Sequence, residues 1–153
     1  TTGGVPSRSG NNGGTPTPTP SPAPAPSPSP STGSGTGAVQ VTVSPNPVPF
    51  SGQAITDIAS CATRPNTWFY DQVLRETGGV AVTVTRRVDT FDGAAGSATN
   101  PNLRIAANGS TTVRTRWCSV SPSAHTAQST FSGTDANGKT WSVTAPLVRL
   151  QAK

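Results

Sequence analysis

Apolar and polar residues alternate with a period of two along much of the chain after residue 37, which is typical of β-strands with one buried face. The pattern is clearest over Val80–Val88, where Val80, Val82, Val84 and Val88 would share one face opposite threonines. Val39–Val43 alternates in the same way and then meets three prolines, which should end the strand. These two segments predict well-defined strands.

Further strands are predicted where shorter alternating segments lie between turn residues. Val113 and Trp117 fall on one face of Thr111–Trp117, and Phe131 should point inward from its strand. The remaining predicted strands are Ala54–Ser60, Leu103–Ala107, Ala127–Gly133 and the alternating set Trp141, Val143, Ala145 and Leu147.

The turn signals indicate how these strands connect. Asp92-Gly93, Asn108-Gly109 and Asn137-Gly138 are typical two-residue turns, and the last two predict β-hairpins. Thr67–Thr77 could be a helix, because it contains apolar pairs spaced by four residues, or a strand, because its aromatic run favours one. We expect a strand, since Gly78-Gly79 suits a hairpin leading into Val80.

Residues 1–37 have a different composition. They hold 9 of the 16 prolines and 8 of the 16 glycines, and Arg8 is their only charged residue. Such a segment buries too little apolar surface to offset its ordering entropy, so we expect a disordered linker. Within it, Thr15–Pro30 carries proline at every second position and should form an extended spacer of about 50 Å. Residues 38–153 remain as one folded domain.

The linker also accounts for the unusual average composition of the chain, which is only 31% hydrophobic and 11% charged. The linker's Ser/Thr-Pro repeats resemble O-glycosylated stalks, while a ligand for an SH3-type groove is a weaker alternative. Because the chain contains no methionine and begins at Thr1, we expect a trimmed form of an exported protein. No run of about 18 apolar residues predicts a membrane-spanning helix.

Cys61 and Cys118 are the two cysteines of the chain. We expect a disulfide, which fits an extracellular or cell-surface location; two free buried thiols are the alternative. Trp117 and Cys118 are neighbours, so on a regular strand they face opposite sides. If Trp117 points into the core, the bridge lies towards a rim of the sandwich.

Seven or eight antiparallel strands in 116 residues fit an all-β fold, an antiparallel β-sandwich. The stretches Glu76–Thr85 and Gly133–Thr140 resemble hairpins of bacterial secreted immunoglobulin-like or fibronectin-III-like modules. The Pro/Thr/Ser linker is similar to those joining carbohydrate-binding modules to secreted glycosidases. The resemblance implies an immunoglobulin-like sandwich, although fibronectin-III modules generally lack a disulfide.

Candidate catalytic groups are few. His125 is the only histidine and stands in a small-residue segment that predicts an exposed loop. The six carboxylates are scattered, and no serine lies in a nucleophile elbow. One histidine and two cysteines make a zinc site improbable. We expect no enzymatic activity, no cofactor and no metal.

Arginine is the more informative residue type. The folded domain carries ten basic and six acidic residues, a net charge of +4, and eight of the ten are arginines. Arg114 and Arg116 share the strand face opposite Trp117, and a hairpin at Asn108-Gly109 would place Arg104 beside them. Such a row would bind an anionic polymer through bidentate contacts, or would simply be a solvated face that discourages edge aggregation. Nucleic acid is not expected, since lysine is scarce and no nucleic-acid fold signature appears.

The aromatic residues offer a second candidate surface. Trp117 and Trp141 are in register with valines and should lie in the core. Trp68 and Tyr70 would share one face, with Phe69 on the other, so we predict Trp68 and Tyr70 as an aromatic platform for a sugar ring. The tentative ligand-binding residues are therefore Trp68, Tyr70, Arg104, Arg114 and Arg116.

These observations favour a non-enzymatic extracellular interaction or adhesion module on a Pro-rich stalk. Its partner would be an extracellular protein or a polysaccharide, with an anionic one favoured by the arginines, and membrane attachment is expected only through an upstream lipid anchor. The alternatives are a carbohydrate-binding accessory module of a secreted enzyme and a self-assembling structural surface protein.

Overall fold

A computed structural model describes residues 35–153, so the predicted extended spacer Thr15–Pro30 lies outside the described residues. The described chain is all-β. Its nine strands are β1 (Val39–Ser44), β2 (Asn66–Glu76), β3 (Val82–Phe91), β4 (Ala94–Ala95), β5 (Leu103–Ile105), β6 (Ser110–Ser119), β7 (His125–Asp135), β8 (Thr140–Thr144) and β9 (Val148–Leu150). A 3₁₀ helix, Ala59–Cys61, is the one helical element among these residues. None of the described residues forms a helix long and apolar enough to cross a membrane.

The strands form two antiparallel sheets in a β-sandwich-like arrangement. The three-stranded sheet has the order β1-β2-β6. The six-stranded sheet has β3 and β7 at its centre, with β4 and β5 beside β3 and with β8 and β9 beside β7. The alternation of buried and exposed residues along β2 and β7 shows that each sheet turns one face inward.

Several predicted elements are confirmed. Thr67–Thr77 falls almost entirely in the strand β2, Phe131 is fully buried in β7, and Asn137-Gly138 joins β7 to β8 in a hairpin. Asp92-Gly93 is the two-residue turn between β3 and β4, with φ of 49° and 81°. The prediction of a strand at Ala54–Ser60 was wrong, because this segment is a loop that leads into the 3₁₀ helix.

Two predicted hairpins are instead crossings between the sheets. Gly78-Gly79 connects β2 in the three-stranded sheet to β3 in the six-stranded sheet. Asn108-Gly109 likewise connects β5 to β6, and these strands do not pair. The turn residues were identified correctly, but each turn carries the chain across the core rather than back along the same sheet.

The predicted disulfide is present between Cys61 and Cys118, with Cα atoms 5.7 Å apart. Cys118 occupies an outward position of β6, as its adjacency to Trp117 predicted. The bridge therefore holds the 3₁₀ helix against the outer side of the three-stranded sheet, away from the core between the sheets.

A β-bulge interrupts β3 at Thr85. Val84 pairs with Gly133 and Arg86 pairs with Ser132, so Thr85 is the extra residue. The bulge reverses which residues face inward for the rest of the strand. The prediction that Val88 shares the face of Val84 was therefore wrong.

After the bulge, β3 turns Arg87 and Asp89 inward. Asp89 bonds Arg87 Nε at 2.9 Å and Ser129 Oγ at 2.6 Å. Gln72 donates from Nε2 to Ser129 Oγ and Thr115 Oγ1 at 2.9 and 3.0 Å, and Arg87 also reaches Thr115. These five residues form a polar layer between two apolar clusters, one around Leu74 and Phe131 and the other around Trp68 and Tyr70.

At the end where residues 35–38 enter, the buried carboxylate of Glu76 holds the crossings together. It accepts N–H bonds from Ala38 (3.2 Å), Gly78 (2.6 Å), Gly79 (3.0 Å) and Asn108 (2.8 Å). Burial by itself would raise the pKa of Glu76, but these four N–H groups outweigh it and hold that pKa below its ordinary value. One side chain thus joins the entry segment and both inter-sheet crossings.

Asp135 acts similarly for the entry segment. Its carboxylate accepts the N–H groups of Gly37, Asn137 and Lys139, each at 2.9 Å, and the Gly37 bond is the main reason for its lowered pKa. The last three residues of the predicted linker, 35–37, therefore pack on the domain.

We predict that Glu76→Gln destabilises the domain by about 3 kcal/mol, because the amide leaves some of the buried N–H groups without an acceptor. Chemical denaturation monitored by tryptophan fluorescence measures this loss. Asp71→Asn is the control, since it removes only an exposed ion pair and should cost less than about 1 kcal/mol. Equal losses in the two variants would contradict the role given to Glu76.

The Glu76 carboxylate should also make the stability of the fold sensitive to acid. Its pKa in the folded chain lies below that of the unfolded chain, about 4.3. The contribution of Glu76 to stability is therefore present above the pKa of the unfolded chain. It is lost as the pH falls through the lower pKa of the folded chain. Denaturation between pH 7 and 3 should show a smaller acid loss in Glu76→Gln than in the unmodified protein.

The bulge gives a third prediction. A Cβ on Gly133 would overlap the main-chain oxygen of Thr83, whereas a Cβ on Gly138 would meet nothing within 4 Å. Gly133→Ala should cost about 3 kcal/mol or more, because backbone must move. Gly138→Ala, at a φ of 77°, should cost only about 1–2 kcal/mol of backbone strain. Thermal unfolding of both variants tests this order, and a milder effect at Gly133 would contradict it.

Candidate functional site

The structure separates the arginines that were predicted to form one row. Arg104 lies on β5 and pairs with Thr83 in the six-stranded sheet, whereas Arg114 and Arg116 lie on β6 in the three-stranded sheet. The prediction that Arg104 lies beside the other two was wrong, because Asn108-Gly109 crosses between the sheets. Arg114 and Arg116 do share the outward face of β6, opposite Trp117, as the alternation predicted.

Arg114 and Arg116 are engaged within the molecule. Arg116 forms a bidentate pair with Asp57, at 2.7 and 2.8 Å, and these bonds hold the pKa of Asp57 below its ordinary value. Arg114 bonds Asp71 at 3.2 Å and lies 5.7 Å from the centre of the Phe69 ring. An external anion would have to compete with these carboxylates for both guanidinium groups.

The predicted aromatic platform is not exposed. Trp68 and Tyr70 are both 0% exposed, because the inward face of β2 carries them into one of the apolar clusters. Trp68 Nε1 donates to the main-chain oxygen of Gln151 at 2.8 Å, and Tyr70 Oη accepts from Trp117 Nε1 at 3.1 Å. Burial raises the pKa of Tyr70. In this structure neither ring can offer a flat surface to a sugar.

The outer side of the six-stranded sheet presents a different surface, which we call the hydroxyl face. Its side chains alternate with the buried residues of β3, β7 and β8, and most of them carry a hydroxyl group. The hydroxyl face consists of Thr83, Arg86, Val88, Thr90, Arg104, Thr126, Gln128, Thr130, Ser132, Thr134, Thr140, Ser142, Thr144 and Arg149.

The strand register arranges this surface in rows that cross the sheet. One row runs through Arg104, Thr83, Thr134 and Thr140, which pair in that order on four adjacent strands. The next row consists of Arg86, Ser132 and Ser142. Neighbouring strands lie about 4.8 Å apart, and same-face residues on one strand lie about 6.8 Å apart. Polar groups therefore recur along each row at about 4.8 Å.

The charge of the hydroxyl face comes from arginine alone among residues 35–153. Arg86, Arg104 and Arg149 form no ion pair there, whereas the carboxylates point elsewhere. Glu76 and Asp135 bind main-chain N–H groups inside the fold, and the other four aspartates pair with Arg87, Arg114, Arg116 and His125. The face thus joins three guanidinium groups to an array of hydroxyl groups, and Asp92, which bonds the Thr126 N–H at the edge with Arg149, is the carboxylate that borders it.

A cavity of about 460 Å³ lies at the end of the sandwich opposite the entry segment, and we call it the distal pocket. Asp92, His125, Leu147, Arg149 and Gln151 are among its lining residues. Thr126 and Arg149 are paired neighbours that also belong to the hydroxyl face. The distal pocket is therefore continuous with one edge of that face.

His125 was predicted to lie in an exposed loop, but it begins strand β7 and its side chain is only 9% exposed. Its Nδ1 is 2.7 Å from Asp92 Oδ2, and its ring packs against Phe91 and Trp68 with centroids 4.7 and 5.3 Å away. The pKa of Asp92 lies below its ordinary value. The hydrogen bond from the Thr126 N–H is the main cause, and the bond to His125 is the next largest. The histidine orients an ionised carboxylate.

Sequence reasoning named Arg104 as a candidate binding residue, although beside Arg114 and Arg116, and missed Arg86, Arg149, Asp92 and His125. Serine and threonine recur at every second position over much of strands β7 and β8. The hydroxyl array could therefore have been recognised from the sequence. Arg86 was missed because the bulge turns it towards this face, and no local sequence pattern predicts a bulge there.

Among residues 35–153 no group of three histidine, cysteine, aspartate or glutamate side chains is placed to hold a metal ion. Among the same described residues, no serine or cysteine side chain hydrogen-bonds to the His125–Asp92 pair.

No family model matches this sequence, and a search of curated proteins also finds no match. Solved structures that resemble the fold include two from structural genomics. One is the putative ApaA protein from Bordetella pertussis, with 14% identity, a TM-score of 0.52, and coverage of 77% of this chain and 94% of that one. The other is the X-ray structure of structural genomics target SoR45, with 12% identity, a TM-score of 0.54, and coverage of 76% and 87%. At this level of identity the likeness shows a shared β-rich fold and nothing about activity.

Proposed function

We propose that this chain is a non-enzymatic, exported binding module of the cell surface or secreted space, carried on its Pro-rich segment as a stalk. We further propose that the sandwich is of immunoglobulin type and that its hydroxyl face binds an anionic polysaccharide. The observation that carries this proposal is the combination of Arg86, Arg104 and rows of hydroxyl groups on one carboxylate-free face.

The chemistry of the face fits a polysaccharide better than a compact protein partner. A row repeats a polar group at about 4.8 Å, comparable with the length of one sugar residue in an extended chain. Threonine and serine hydroxyl groups both donate and accept hydrogen bonds, so they match sugar hydroxyls of either orientation. Arginine forms bidentate bonds with carboxylate or sulfate groups. A chain lying across the strands would meet all of these groups.

Adhesion through this face and service as an accessory module of a secreted enzyme use the same contacts. They differ in what the stalk is joined to, so the binding chemistry is the part to test first. The disulfide is compatible with export, since such bridges persist in oxidising compartments.

Self-assembly remains the other candidate, and the free edge of β6 is the place where it would occur. In a symmetric antiparallel pairing centred on Thr115, Arg114 of one copy would face Arg116 of the other. Like charges placed opposite each other disfavour strand pairing. We therefore expect a monomer by light scattering at high concentration, and a stable dimer would favour self-assembly.

Removing the two arginines should weaken binding of an anionic polysaccharide. We expect Arg86→Gln/Arg104→Gln to bind polygalacturonate at least about tenfold more weakly than the unmodified chain, since charge-assisted hydrogen bonds contribute about 1.5–3 kcal/mol each. Isothermal titration calorimetry measures the affinities, which should also fall with added salt. Neutral dextran should bind more weakly than polygalacturonate.

The matched control is Arg75→Gln, which removes an exposed arginine from β2 in the other sheet and leaves the hydroxyl face intact. It should change the affinity by less than about twofold, the effect of a distant surface charge in physiological salt. If Arg75→Gln weakened binding as much as the double variant, the interaction would depend on net charge, and the proposal for this face would fail.

A further inference from the structure

The distal pocket holds two opposite charges that do not neutralise each other. Asp92 and Arg149 both line the cavity, but no ion pair joins them in the described structure. Each is instead fixed by neighbours: Asp92 by His125 and Thr126, and the main chain of Arg149 by the Asn46 side chain, whose Oδ1 accepts the Arg149 N–H at 3.1 Å. A ligand that fits must therefore offer hydrogen-bond donors to the aspartate and an anionic group to the arginine.

Asp92 is arranged to accept hydrogen bonds from a ligand. One carboxylate oxygen accepts the Thr126 N–H at 2.8 Å and the other contacts His125 Nδ1 at 2.7 Å. The side chain is nevertheless 49% exposed, so lone pairs remain open to the cavity side. An oriented, ionised carboxylate with free lone pairs is a good acceptor for the hydroxyl groups of a sugar.

The pocket also has an apolar wall. Leu147 is 49% exposed and is one of two large hydrophobic residues with high exposure among those described. Pro47 and Ala124 line the cavity with it. Such a wall suits the C–H face of a sugar ring, and the volume of about 460 Å³ lies within the usual range of ligand pockets.

We infer that the distal pocket binds one sugar-acid residue, with its carboxylate on Arg149, its hydroxyl groups on Asp92 and its C–H face on Leu147. This inference takes its ligand class from the proposed function but rests on Asp92, Leu147 and Arg149, of which only Arg149 also belongs to the hydroxyl face. Because the pocket is continuous with the hydroxyl face at Thr126 and Arg149, its occupant would be a terminal or branching unit of the polysaccharide bound there.

The structure supplies a spectroscopic reporter for this pocket. The indole N–H of Trp68 donates to the main-chain oxygen of Gln151, which lines the cavity, and the Trp68 ring packs edge-on against His125. Occupation of the pocket should shift the Nε1–H resonance of Trp68 in ¹H–¹⁵N NMR spectra. Trp141 has no contact with the pocket and serves as the internal reference.

The test is titration of the full chain with galacturonate and, separately, with galactose, which has the same ring without the carboxylate. We expect a saturable shift of the Trp68 signal with galacturonate and an affinity at least about tenfold lower for galactose, since a charge-assisted bidentate bond is lost. Equal affinity for the two sugars, or no shift with galacturonate at saturating concentration, would overturn the inference.

Arg149→Gln should abolish the carboxylate preference, so that galacturonate binds no better than galactose. Arg64→Gln is the control, because it removes another exposed arginine that does not line the pocket. An undiminished galacturonate response in Arg149→Gln would also overturn the inference.

The two proposals fail separately. Arg86→Gln/Arg104→Gln should lose affinity for polygalacturonate but keep the galacturonate response of Trp68. If the polymer fails to bind while the single sugar binds, the proposal for the hydroxyl face is wrong and the pocket stands. If the polymer binds through Arg86 and Arg104 while the Trp68 signal stays unchanged with the single sugar, the pocket inference is wrong.

Discussion

The β-bulge at Thr85 is the constraint on which the surface and the interior of the six-stranded sheet both depend. By adding one residue to β3, it turns Arg86 outward beside Ser132 and turns Arg87 and Asp89 inward. The close approach of β3 to β7 at this point requires glycine at position 133. Without the bulge, Val88 would point into the core and the next polar residues would point outward, so neither the polar layer nor the present hydroxyl face would exist.

Inward polar residues are tolerated because most of their polar groups find partners across the two sheets; among the described residues, Gln72 Oε1 is the member of the layer that is buried without one. Gln72 and Thr115 from one sheet meet Arg87, Asp89 and Ser129 from the other in a connected set of hydrogen bonds. A buried polar network with matched partners fixes how its elements align, because any shift in register leaves groups unpaired. The layer thereby sets the register of β2 and β6 relative to β3 and β7, and with it the alignment of the rows on the hydroxyl face.

The sequence was sufficient for most of the individual strands but not for how they pair. Alternation identified β1, β6 and β7, whereas β2 was predicted from its aromatic run and from an expected hairpin at Gly78-Gly79, which the structure shows to be a crossing. Gly78-Gly79 and Asn108-Gly109 have the composition of hairpin turns. That composition predicts the local backbone geometry of a turn but not which strands pair on either side of it. Whether the chain then pairs or crosses depends on distant partners, here the Glu76 carboxylate, which gathers the N–H groups of both crossings.

The candidate site shows the same limit, because the sequence does not reveal which charged residues pair with one another in the folded chain. Arg104, Arg114 and Arg116 are equivalent in the sequence as exposed strand arginines, and only the fold shows that two of them have carboxylate partners within 3.2 Å. Trp68 and Tyr70 were correctly placed on one face of their strand, but alternation gives no sign of which face is covered by the opposite sheet. The position of binding sites on a sandwich therefore depends on which groups its few acidic residues bond. In this domain all six form bonds within the molecule, and Arg86, Arg104 and Arg149 have no ion pair among residues 35–153.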